Sequence, residues 1–108
     1  MKGLEKAKAA FENDSSPANQ AVLAIAYFDL GRYKEAEALM RELLEGYNAS
    51  QQILCDLAFT YKNMGKTDQA KELFHRVIEF NPKHALARCA ENELWQLDPS
   101  FKPSWLRK

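Results

Sequence analysis

Shifted by 34 residues, the sequence matches itself. Leu23, Ala24, Tyr27, Gly31, Ala36, Leu39 and Glu45 recur as Leu57, Ala58, Tyr61, Gly65, Ala70, Leu73 and Glu79. At the same shift Ile25/Phe59, Leu30/Met64, Arg32/Lys66, Met40/Phe74, Leu43/Val77 and Leu44/Ile78 keep their character. Seven ungapped identities, falling on small and apolar positions, make a tandem repeat. A unit of this length is one supersecondary element that cannot bury its apolar face alone, so the chain must stack its copies.

Each unit reads as two helices. In the second, Leu54, Leu57, Ala58 and Tyr61 share one helical face, and Ala70, Phe74, Val77 and Ile78 share another. Gly65 ends the first of these helices, because a left-handed cap costs Gly no Cβ strain. Thr67 is the expected N-cap of the second. Small Ala58 and Ala70 let the two axes approach closely. Asn81-Pro82 is expected to stop that helix and open the next, with Pro in its first turn. The first unit has the same plan, with helices near 18–30 and 33–46 around Gly31.

Two segments flank the pair. Residues 3–13 set Leu4, Ala7 and Phe11 on one stripe. Residues 83–97 set Leu86, Ala90, Leu94 and Leu97 on one side, with Arg88, Glu91, Asn92 and Glu93 on others. Both read as capping helices. Six helices are expected, near 3–13, 18–30, 33–46, 51–64, 67–80 and 83–97. Repeats span 17–50 and 51–84 of a domain over 1–98, and a tail follows at 99–108.

Composition narrows the function. At 108 residues the chain is one domain, and 15 Lys+Arg balance 15 Asp+Glu. Nucleic-acid or anionic-membrane binding draws on excess cations, so neither is expected. Cys55 and Cys89 supply neither a disulfide framework nor a metal tetrahedron. The charged start (Met-Lys-Gly-Leu-Glu-Lys-Ala-Lys) lacks a signal peptide's apolar run, and the uncharged stretch 15–28 is too short to span a bilayer. A reducing cytoplasm is the expected compartment. Asn48-Ala49-Ser50 matches a glycosylation acceptor, which carries no meaning there.

The pattern Leu-Ala-x-x-Tyr-x-x-x-Gly…Ala-x-x-x-Phe…Pro, on the 34-residue period, resembles the tetratricopeptide repeat (TPR). Leu57, Ala58, Tyr61, Gly65, Ala70, Phe74 and Pro82 carry it in the second unit. Leu23, Ala24, Tyr27, Gly31, Ala36 and Met40 carry it in the first, where Asn48 replaces the terminal Pro. The resemblance implies an all-α solenoid of stacked hairpins. It also implies a non-catalytic role, since the family binds many partners. Residues 97–105 resemble the junction that ends one repeat and opens another.

In such proteins the first helix of each repeat lines the concave surface. By that resemblance the lining takes Ala21, Ile25, Phe28 and Asp29 from the first repeat, and Gln52, Cys55, Phe59, Lys62 and Asn63 from the second. The third layer gives Leu86, Cys89 and Glu93. The residues argue the same way, because the helix at 18–30 is apolar nearly all round and needs cover on its free face. The expectation is a hydrophobic concave groove for an amphipathic helix or an extended apolar peptide of another protein. Phe28 and Phe59 would be its anchors, and Asp29, Lys62 and Asn63 its polar rim. Completion of the internal core is the competing use of these side chains. The second functional reading is a homodimer whose groove holds its own or a neighbour's terminal segment.

Other signals are weak. The carboxylate clamp that holds chaperone tails in this family needs Lys, Asn and Arg, but the matching positions hold Ala21, Ile25, Asp56, Leu86 and Ala90. His75 and His84 lack partners at ligand spacing. No nucleophile–base set or phosphate loop is legible, so no enzyme, metal or cofactor is expected. Cys55 and Cys89 read as apolar lining thiols on adjacent helices. The tail, Phe101 to Lys108, reads as flexible or folded back onto the last helix, with a docking motif or a groove plug as its functional readings.

Overall fold

Six helices follow one another in the computed structural model, which describes residues 2–46 and 50–106: α1 (Lys2–Asn13), α2 (Pro17–Asp29), α3 (Tyr33–Glu45), α4 (Gln51–Asn63), α5 (Thr67–Phe80) and α6 (Ala85–Leu97). A single 3-10 turn, Ser104–Leu106, follows. Among the described residues there is no strand, so the all-α expectation holds. Residues 47–49 lie outside that description. With them lie the Asn48-Ala49 part of the acceptor triplet and the Asn48 that stands in place of Pro82.

The period reaches the helix ends. Ser16, Ser50 and His84, each 34 residues from the next, are the N-caps of α2, α4 and α6. Ser16 accepts from the Asn19 N–H at 3.3 Å, Ser50 from Ile53 at 3.1 Å, and His84 Nδ1 from Leu86 at 3.0 Å. Each satisfies a backbone donor that the helix itself leaves unpaired. At the other end, Gly31 and Gly65 take φ of +77° and +78°. There Arg32 N donates to Tyr27 O and Lys66 N to Tyr61 O, both at 2.9 Å, closing the same C-terminal motif twice. The cation at each motif also lies over the ring it closes on: Arg32 is 5.0 Å from the Tyr27 centroid and Lys66 is 5.6 Å from that of Tyr61.

Three local expectations need correction. Thr67 is the first residue of α5 and not its cap; Lys66 holds that place without a side-chain bond. Pro82 does not enter the next helix. The Lys83 N–H donates to Asn81 Oδ1 and that of His84 to the Asn81 carbonyl, so residues 81–84 form a turn. Consequently α6 begins at Ala85 and not at 83. Glu91, set on a polar side by the pattern, is buried.

Helices adjacent in the chain pack together, and α4 touches both α2 and α6. Hence α2, α4 and α6 form one layer and α1, α3 and α5 the other. The molecule measures 51 × 26 × 21 Å with a radius of gyration of 14.7 Å. A compact chain of this length would have about 13 Å, so the stack is elongated. The core between the layers closes around small residues. Ala36, Ala58, Ala70 and Ala90 are fully enclosed, which draws the axes together around Met40, Phe74, Val77 and Leu94. Leu4, Ala7 and Leu23 make a smaller cluster where α1 seals the first repeat.

The tail folds back onto α5 and α6. Phe101 meets the His75 ring edge-on at 5.6 Å, Arg88 lies 5.1 Å from the Trp105 centroid, and Pro103 is fully buried. The Ser104 N–H and hydroxyl both donate to Glu91 Oε2 at 2.9 Å, which explains how a carboxylate can lie under this segment. An irregular strap thus covers α6, the helix that follows the second repeat.

Candidate functional site

Because α2 and α4 run side by side in one layer, residues four apart on each line up along their common face. Ile25, Phe28 and Asp29 of α2 and Asp56 and Phe59 of α4 enclose a hollow of about 300 Å³. Both rings are braced from behind: Phe59 stands edge-on to Phe74 at 5.2 Å, and Phe28 edge-on to Tyr33 at 5.5 Å. Each is half-buried, offering one side to the core and the other to the hollow.

A second hollow, of about 290 Å³, adjoins the first and shares Ile25 and Asp29 with it. Gly3, Leu4, Val22, Ala26 and Leu30 complete it. Val22 is 58% exposed and Leu30 41%, so this wall presents apolar surface to solvent. Together the two hollows make a trough that runs from α1 across α2 to α4.

Beyond Phe59 the lining turns polar. Lys62 Nζ donates to Glu93 Oε1 at 2.5 Å, tying α4 to α6, and lies 5.7 Å from the Phe59 centroid. Gln52 Nε2 donates to Asp56 Oδ1 at 2.9 Å. Burial raises Asp56 above the ordinary carboxylate range, opposed by that Gln52 bond. Cys55 is buried beneath this face, and burial pushes its thiol up to about 12. Cys89, half-buried on α6, is raised by burial and then by Glu93. Both shifts run against activation, since burial disfavours the thiolate.

Of the residues expected to line the groove, Ile25, Phe28, Asp29 and Phe59 meet in one hollow. Ala21 is half-buried on α2, Leu86 packs half-buried against the core, and Gln52 and Asn63 are exposed. Lys62 flanks the hollow with its charge already engaged. Sequence reasoning had Asp56 only as an obstacle to a clamp and did not include Val22 or Leu30. The signal for Asp56 was there: it lies four residues after Gln52 and three before Phe59, on one helical face.

A hollow of similar size, about 290 Å³, lies between α3, α4 and α5. Arg41, Arg76, Glu45 and Glu72 line it with both signs of charge, and Arg41 donates to the Tyr61 hydroxyl at 3.1 Å.

A family model described as tetratricopeptide repeat matches residues 27–91, more than half of the chain. The chain belongs to the tetratricopeptide repeat family. Its helix pairs, glycine caps and two-layer stack are those of a TPR array, and TPR arrays are in general non-catalytic modules for protein–protein interaction. Against the curated proteins the chain finds no match. Among the described residues no helix of this TPR array is long and apolar enough to cross a membrane, and no group of three or more His, Cys, Asp or Glu could hold a metal ion.

Proposed function

We propose that the chain is a non-catalytic adaptor whose trough between α2 and α4 takes an amphipathic helix or an extended apolar segment of another protein. The observation that carries this reading is the pair of adjoining hollows around Ile25, with Phe28 and Phe59 braced from behind and Val22 and Leu30 exposed. Rings fixed in this way lose little conformational freedom on binding, which suits them as anchors. The domain we assign runs over residues 1–98. Residues 99–106 serve as its strap, because Phe101, Pro103 and Ser104 are engaged by α5 and α6. That engagement weighs against the same segment filling the trough of its own molecule. Two free thiols support a reducing compartment, for which the cytoplasm remains our reading.

The test is association of the purified chain, followed by sedimentation and by capture of proteins on the immobilised chain. We expect a monomer whose capture is lost in Ile25→Asp while the helical circular dichroism is kept. A dimer dispersed by Ile25→Asp would turn the reading to self-assembly. If that variant stays folded, captures the same proteins and associates as before, the trough is not the binding site.

A further inference from the structure

We propose that the trough recognises a segment that is cationic as well as apolar, with lysine or arginine beside its leucine-like or aromatic anchors. This rests on the binding reading above and adds the chemistry of the partner. The chain as a whole is neutral, with equal numbers of acidic and basic side chains. Its trough is not. Among the described residues the charged groups lining the two hollows are Asp29 and Asp56, with no lysine or arginine in either. Asp29 is exposed and lines both hollows, so its carboxylate stands where they join. Lys62, which flanks Phe59, is closed onto Glu93 across the layer and brings no free positive charge.

Two features make these carboxylates recognition groups and not mere solvated surface. Among the described residues neither has an ion-pair partner; Asp56 accepts one neutral bond, from Gln52, and keeps further acceptor capacity. Asp56 is also half-buried beside Ile25, Phe28 and Phe59, where a charge is less well solvated and a matching cation gains more than in open water. The raised position of Asp56 agrees, since its ionised form is held at a cost that an incoming ammonium or guanidinium would relieve. An acidic or carboxylate-ended segment would meet the same two groups as repulsion, which sets selectivity by sign.

A random peptide library displayed on phage, selected against the purified full-length chain, tests this without knowing the natural partner. The best peptides are then measured by fluorescence anisotropy. We expect selected sequences to join apolar anchors to Lys or Arg. Their binding should weaken about tenfold in Asp29→Asn/Asp56→Asn, weaken with added salt, and tighten in Lys62→Ala, which frees Glu93. Peptides that need Phe59 but are neutral or acidic, or that ignore the double asparagine variant, overturn the cationic preference and leave the trough as a binding site. If no selected peptide depends on Ile25 or Phe59, the binding reading falls and this one with it. A self-associated chain that disperses on Ile25→Asp overturns it in favour of a second copy as occupant.

Discussion

Single residues hold the two hairpins in register. Gly31 and Gly65 sit at positive φ with open space where a Cβ would stand, so an alanine there meets backbone strain and nothing else. Each Gly→Ala change should cost about 1 kcal/mol, and because the sites are far apart the double variant should lose about the sum; urea unfolding measures both. Asp56 should show in the pH dependence. A raised carboxyl means that the folded state holds the proton more tightly, so ionisation weakens the fold as pH rises above the usual carboxylate range. Asp56→Asn should therefore match the wild type in acid and become the more stable of the two towards neutrality, read from urea midpoints across that window. The glycines were legible because left-handed turns leave few other choices. Glu91 was not. A charged residue in a helix reads as solvent-facing, and only the fold of the tail, which brings Ser104 over it, makes its burial tolerable.

Among the elements, the first helices of the two repeats were predictable from periodicity, starts included to within a residue, whereas the start of α6 was not. Ser16 and Ser50 keep the 34-residue spacing, but in the third position the cap is a histidine, a residue outside the usual capping set. Pro82, two residues before it, drew the expected start of α6 too early. Replacing Ser50 by Ala should cost about 1 kcal/mol, and His84→Ser should preserve stability, both checked by thermal unfolding. The strap is the other element that pattern alone left open. Phe101 and Pro103 lie five and three residues before the chain's last apolar position, Leu106, and what they cover is set by α5 and α6. Truncation after Asp98 would remove the buried Pro103 and strip Glu91 of both its donors. We expect a loss of about 3 kcal/mol, visible as earlier melting with the trough left intact.

At the scale of the whole molecule, contacts run only between neighbours, so stability should be graded along the stack. α4 is packed on four sides by α2, α3, α5 and α6, whereas α1 touches α2. Native-state hydrogen exchange should be slowest in α4 and α5 and fastest in α1. Phe74→Ala, which removes a fully buried ring between these layers, should cost about 3–5 kcal/mol and also loosen Phe59, whose edge contact it supplies. The trough was legible to a first approximation, since a helix that is apolar on every side announces a covered face. Its charge was not, because the pairing of Lys62 with Glu93 spans 31 residues and depends on how α4 and α6 lie together.

The recurrence of N-caps at Ser16, Ser50 and His84 has a constructive side. Each marks a seam where one hairpin hands over to the next through a side-chain cap on the helix that follows. A spliced gene that duplicates residues 50–83 would meet itself at matching joints, yielding a longer rod that has gained one storey and kept both its original floor and its roof.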